Sequence, residues 1–273
     1  MLKKKHEMIT MAAVDFYTEG PATDQYGNIY FTMLSGENIM QLKADGEMLV
    51  WGKSSCPNGQ IILANGDHLV CDSKLGKVLR FSPQGHLIGA ASGEICAGIK
   101  VNVPNDLLMD DHGNLYFTDS IRHHGAVFCI AQNGEEIRIA SGLDYPNGLV
   151  LSVDKKNLFV AESYQNRIIS IPLNDLGRPS GEFEVFIDLP KNPSGNPIGN
   201  LPDGIAMNSQ GIMAIAHYGM AAVQLVSTTG SLIETIDTGL ACTSNVYFWD
   251  DQTLVVTGGS NEPGPGAVLQ IKL

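Results

Sequence analysis

Residues 103–119 read VPNDLLMDDHGNLYFTD. A Pro-Asn-Asp opens an apolar run, a polar Asp-Asp-His-Gly cluster interrupts it, and a second apolar run ends on an acid. Two apolar runs around a Gly-containing polar cluster describe a β-hairpin. The phrase recurs as EGPATDQYGNIYFTM (19–33), NGQIILANGDHLVCD (58–72), NDLLMDDHGNLYFTD (105–119), NGLVLSVDKKNLFVAE (147–162), DGIAMNSQGIMAIAH (203–217) and NVYFWDDQTLVVTG (245–258). The copies begin 39, 47, 42, 56 and 42 residues apart. That is close to the roughly 40–50-residue period of a β-propeller blade.

A second set of echoes keeps the same register: NIMQLKADG, KVLRFSPQG, AVFCIAQNG, RIISIPLNDLG, AVQLVSTTG and AVLQIKL. Each alternates apolar and polar residues as a half-buried strand does. A third set, EMLVWG, HLIGAAS, EEIRIAS, FEVFIDL and LIETIDT, occurs only five times. The missing sixth is supplied by HEMITMAA at 6–13, which precedes the first blade and can pair with the last. The sequence therefore predicts an all-β fold in one domain over 1–273: a six-bladed β-propeller of four-stranded antiparallel blades, its ring closed by an N-terminal strand. Closure leaves only short, protected strand edges. The Pro/Gly/Asn segment at 192–200 is expected to lie over one face.

With 29 acidic against 17 basic residues, the formal charge is −12. A nonspecific grip on nucleic acid or anionic lipid would work against that field, so neither is expected as a partner. The five cysteines form no C-x-x-C pair or zinc-ligand spacing and read as reduced and mostly buried. No stretch reaches the roughly 18 apolar residues of a membrane span, and the basic start lacks the apolar core of a signal peptide. A cytoplasmic protein, monomeric or weakly self-associating, is the expectation.

Asn-Gly and Asp-Gly are turn formers, but in each copy the turn comes about seven residues later. The earlier polar residue instead begins the innermost strand. In order these are Glu19, Asn58, Asn105, Asn147, Asp203 and Asn245, and in a propeller they converge around one mouth of the central channel. Each carries a side-chain oxygen. An oxygen-only set with two carboxylates suits a hard divalent cation, Ca²⁺ first, then Mg²⁺ or Mn²⁺, with Zn²⁺ only in an exchangeable site. Ordered water is the alternative occupant.

A hairpin returns to the face it left, so Met33, Asp72, Asp119, Glu162, His217 and Gly258 form a second column near the same mouth. Asp119 and His217 are candidates to orient substrate or move protons, and His123, in the loop after Asp119, to face substrate. Asp72 and Glu162 are expected to hold adjacent loops. His68, His86 and His112 read as surface residues.

E-G-P at 19–21, P-N-D-L with G-N-L-Y-F-T-D over 104–119, P-N-G-L at 146–149 and P-D-G at 202–204 stand in order at blade spacing. In these motifs the chain resembles the senescence marker protein / gluconolactonase / luciferin-regenerating enzyme family, most of all its bacterial gluconolactonase branch. The resemblance implies that Glu19, Asn147 and Asp203 hold one divalent metal, that Asn105 contacts metal or substrate, and that Asp203 is the general base. It implies hydrolysis of a sugar-type lactone, a small-molecule substrate, with Asn58 and Asn245 completing the binding ring. Some relatives cleave phosphotriesters, and a non-catalytic binding propeller is the alternative of another class. Attack by Asp203 as a nucleophile is a second mechanism open to the same residues. Animal members carry an Arg two residues before the position of Asn105, where this chain has Val103, so recognition of sugar hydroxyls by that Arg does not carry over.

Overall fold

Each repeated phrase folds as the inner hairpin of one four-stranded antiparallel blade, in a computed structural model that describes residues 6–195 and 197–273. From the channel outward, blade 1 is Thr18–Thr23, Ile29–Met33, Asn38–Leu42 and Met48–Lys53. Blade 3, built on the 103–119 stretch, is Pro104–Met109, Leu115–Asp119, Gly125–Ile130 and Glu136–Leu143. The innermost strands of the other blades are Pro57–Ile62, Pro146–Leu151, Leu201–Met207 and Cys242–Asp250. Every innermost strand touches the next, and Cys242–Asp250 touches Thr18–Thr23, so the ring closes. The closure is as expected: Glu7–Val14 is the outer strand of blade 6 and pairs antiparallel with Gly266–Lys272. An unforeseen two-stranded ribbon, Ile95–Cys96 with Ile99–Lys100, occupies the longer link between blades 2 and 3.

Burial falls from the channel outward. The second strand Leu115–Asp119 is buried at every residue, whereas the outer strand Leu87–Ala90 is exposed at every residue. The core is divided among six apolar clusters, one at each blade interface. Between blades 2 and 3, Leu69, Cys71 and Val78 pack on Leu107, Phe117 and Phe128, and the two Phe rings lie 5.3 Å apart. Truncating a buried ring such as Phe117 to Ala would cost about 3–5 kcal/mol.

His68 is not a surface residue as its sequence position suggested; only 2% of it is exposed. It opens the fully buried strand His68–Asp72, with its ring 4.1 Å from Trp51 and 4.6 Å from Tyr30. Its Nδ1 is 3.1 Å from Gln60 Oε1. His86 and His112 are exposed, as expected. The cysteines are all free, four of them buried and Cys56 partly so. Among the described residues no helix is long and apolar enough to cross a membrane.

Candidate active site at the channel mouth

Pairing between the two inner strands slips in all six blades at the polar residue that begins the hairpin: between Glu19 and Ala22, Pro57 and Gln60, Pro104 and Leu107, Pro146 and Leu149, Pro202 and Ile205, and Thr243 and Asn245. Such a bulge removes a residue from the ladder and re-aims its side chain. Here it brings Glu19, Asn58, Asn105, Asn147 and Asp203 to one cavity of about 300 Å³. In four blades the residue after the bulged position is a glycine, Gly20, Gly59, Gly148 or Gly204, and neighbouring strands nearly touch there. A Cβ at Gly148 would sit 2.5 Å from the Asp203 carbonyl oxygen, and one at Gly59 would sit 2.4 Å from Asp106 Oδ1.

Blade 6 departs from the expected register. A Cβ at Gly204 would meet Asn245 as one at Gly59 meets Asp106. The Val246 amide donates to Asn245 Oδ1 as the Leu107 amide donates to Asp106 Oδ1. Asn245 is thus the counterpart of Asp106, one step deeper than Asn105, and Ser244 takes the ring position. A second slip between Phe248 and Asp250 adds a residue to this hairpin, so counting back from the turn misses by one. Asn245 is buried and does not line the cavity.

Electrostatically the mouth is short of hydrogen-bond donors. Burial, with neighbouring carboxylates, holds both Glu19 and Asp203 well above the usual carboxylate range. Burial likewise pushes Asp106 up to about 7. The buried Oδ1 atoms of Asn58 and Asn147 have no hydrogen-bond partner. Glu19 accepts from its neighbour's Gly20 amide at 3.2 Å and from the Tyr17 hydroxyl at 3.3 Å. Two carboxylates and two unmatched amide oxygens on one cavity fit a hard cation, since buried acceptors without donors are costly until something positive meets them. Among the described residues no cluster of three His, Cys, Asp or Glu has metal-holding geometry, consistent with a set that is half amide.

The second column is the reverse case. Asp72 accepts from the Ser54 hydroxyl, from the Ser55 and Cys56 amides at 2.8 and 3.2 Å, and from the Lys74 and Leu75 amides at 3.0 and 2.9 Å. Glu162 accepts from the Asp144 amide and from Arg167, as a loop anchor should. Asp119 behaves the same way: the Asn102 and Val103 amides donate to it at 3.1 and 2.6 Å, and it does not line the cavity.

His217 is fully buried away from the cavity. Its Nδ1 is 3.2 Å from Gln224 Nε2 and its Nε2 is 2.9 Å from Asn166 Oδ1, and burial lowers its pKa to about 4. The Gln224 amide can only donate, so the ring proton sits on Nε2. His123 lies outside the cavity, exposed and 3.4 Å from Asp144.

Sequence reasoning missed several residues. The cavity wall is aromatic and aliphatic, with Tyr17, Tyr145, Tyr164 and Tyr218 beside Leu34 and Leu201. Tyr145 holds a left-handed backbone, φ 66°, which a non-glycine residue adopts only where its surroundings enforce it. Ile198, from the 192–200 loop, also lines the mouth, so that loop does cover this face; its Asn196 lies outside the described residues. A readable signal was the serine after each second-column acid. Ser73, Ser120 and Ser163 donate to the carbonyls of Pro104, Pro146 and Pro202, each latching one blade to the next beside the site.

A larger cavity, about 520 Å³, lies at the far end of blades 1 and 2. Its polar groups serve one another, with Asp24 accepting from Asn28 and Tyr30 and Gln41 donating to Tyr30, so size does not choose the site.

The chain is 29% identical over 177 residues to lactonase drp35 of Staphylococcus aureus, covering 60% of this chain and 53% of the relative. It is 26% identical over 225 residues to a gluconolactonase of Zymomonas mobilis, covering 71% and 63%. The chain thus spans between about half and two thirds of these relatives' length. Among solved structures, a gluconolactonase of Xanthomonas campestris shares the fold with a TM-score of 0.83 at 24% identity, covering 98% of this chain and 90% of that one. Residues 91–260, more than half the chain, match the profile described as the SMP-30/Gluconolactonase/LRE-like region, and the chain belongs to that family.

Proposed function

We propose that the protein is a divalent-metal-dependent lactonase acting on a sugar-type lactone at the channel mouth. The observation that carries the reading is one cavity that holds the two carboxylates Glu19 and Asp203 beside the buried, unpartnered amide oxygens of Asn58 and Asn147. The lactonase and gluconolactonase relatives support the reaction class. Glu19, Asn147 and Asp203 would hold the cation, with Ca²⁺ the best match to oxygen-only donors. Asn105 and Asn58, buried side by side with them on the cavity wall, would contact the substrate. When bound, the cation supplies Lewis-acid polarisation of the ester carbonyl.

The protein's own groups do the rest. The Asp203 carboxylate accepts the proton of the attacking water as its oxygen bonds to the carbonyl carbon. It returns that proton to the ring oxygen when the C–O bond breaks, giving the open hydroxy acid. The Tyr17 hydroxyl and the Gly20 amide hold Glu19 from two sides, fixing one wall of the site. Leu34, Leu201 and the tyrosines narrow the cavity and limit water to what the reaction consumes.

The test is hydrolysis of a neutral aldonolactone, followed by proton release, before and after chelation and after adding back Ca²⁺, Mg²⁺, Mn²⁺ or Zn²⁺. The reading expects loss with chelator and recovery with at least one of these ions. Hydrolysis indifferent to chelator removes the metal, and no hydrolysis of any lactone under any ion leaves a binding propeller.

A further inference from the structure

One charged residue at the mouth plays no part in that scheme. Glu262 lies in the loop between the second and third strands of blade 6, exposed to solvent, yet it lines the same cavity as Glu19 and Asp203. The Tyr17 amide donates to the carbonyl of the next residue, Pro263, at 2.7 Å, which ties this loop to the start of blade 1. The Tyr218 side chain, its ring 6.3 Å from the Tyr17 ring, lines the same cavity. The backbone tie at Pro263 holds the Glu262 loop at the mouth.

Among the described residues no Lys, Arg or His lines the cavity. Two cations beside its wall are already engaged. Arg122 stacks on the Tyr164 ring 3.5 Å from its centroid and pairs with Asp144 at 2.7 Å. Lys74, on the rim beside Leu34, lies 3.9 Å from Glu37. A phosphate or carboxylate on an entering substrate would meet three carboxylates and no free positive group. The cation of the proposed reaction would be held by Glu19, Asn147 and Asp203, two of them carboxylates that offset its charge.

Building on the lactonase reading, we propose that Glu262 is a specificity-determining residue that restricts this site to uncharged lactones and turns away those bearing phosphate or carboxylate. Like charges brought together suppress wrong partners more than they tune right ones.

A matched pair of substrates isolates the effect: a neutral six-membered aldonolactone and the same lactone phosphorylated on its exocyclic hydroxyl. The readout is the ratio of their kcat/KM values in wild type, Glu262→Gln and Glu262→Lys. The wild type favours the neutral lactone. At a solvent-exposed position each unit of charge is worth about fivefold, so the ratio should shift toward the phosphorylated lactone about fivefold in Glu262→Gln and about 25-fold in Glu262→Lys. The shift should shrink when salt is raised from 0.05 to 0.5 M, as the Debye length falls below the width of the mouth.

An unchanged ratio across the three proteins, with neutral turnover intact, overturns the proposal while leaving the lactonase reading in place. If wild type opens neither lactone, that reading fails separately. The charge claim is then decided by calorimetric binding of the corresponding neutral and phosphorylated lactams, where equal affinities in wild type and Glu262→Lys refute it.

Discussion

The two columns of residues at the mouth both carry Asp and Glu side chains and stand within one hairpin of each other, yet their polar members have opposite surroundings. Asp72, Asp119 and Glu162 end second strands, and each is met by backbone amides, a serine hydroxyl or an arginine. Glu19, Asn58, Asn147 and Asp203 begin innermost strands at bulges, where the ladder that would supply donors is broken. The first group is satisfied by the fold, whereas in the second the buried amide oxygens of Asn58 and Asn147 have no partner. Donor supply, more than residue type or burial, separates the anchors from the candidate site.

Exchanging one member from each column should break different properties. Asp203→Asn removes the proposed base, and kcat/KM for a neutral lactone should fall about 10³-fold, with a thermal midpoint no lower than wild type because a buried, poorly matched charge has gone. Asp72→Ala should do the opposite. It strands the donors of residues 54–56 and 74–75 and should lower unfolding free energy by about 2–4 kcal/mol in a denaturant titration, with turnover per folded molecule within about twofold of wild type. Equal losses of activity in the two variants would erase the distinction.

The histidines sharpen it through pH. Burial lowers His68 and His217 to about 4, below the ordinary value near 6.5 of the unfolded chain. The unfolded state therefore takes up protons first as pH falls. Stability from these groups is complete above about pH 6.5 and drains away as pH drops toward 4. His217→Gln, which keeps a neutral polar group against Asn166, should flatten that decline by about 1–3 kcal/mol between pH 7 and 4, measured by denaturant midpoints. The smallest effect is at Tyr17. Tyr17→Phe deletes one donor to Glu19 and should weaken Ca²⁺ binding about two- to fivefold.

Period and strand order were legible because blades repeat at nearly constant spacing and alternate in polarity. The ring of Glu19, Asn58, Asn105, Asn147 and Asp203 was legible because strand starts in a propeller must converge. What escaped was set by single-residue irregularities and by contacts between blades. The added residue near Trp249 shifted Asn245 one place down, and nothing in NVYFWDD marks a bulge. His217 stands at the expected end of its strand, but its ring turns toward Asn166 and Gln224, residues 51 positions before it and 7 after it. Tyr17, Tyr145, Tyr164 and Glu262 come from between strands, where the repeat does not align, while Tyr218 ends the strand Met213–Tyr218.

The most direct test of the contrast between the columns is calorimetric titration of metal-stripped protein with Ca²⁺, comparing wild type, Asp203→Asn and Asp119→Asn. The account predicts one site in wild type, the same site in Asp119→Asn, and no saturable binding in Asp203→Asn. Undiminished Ca²⁺ binding by Asp203→Asn, or a wild type that binds no divalent cation, would contradict it.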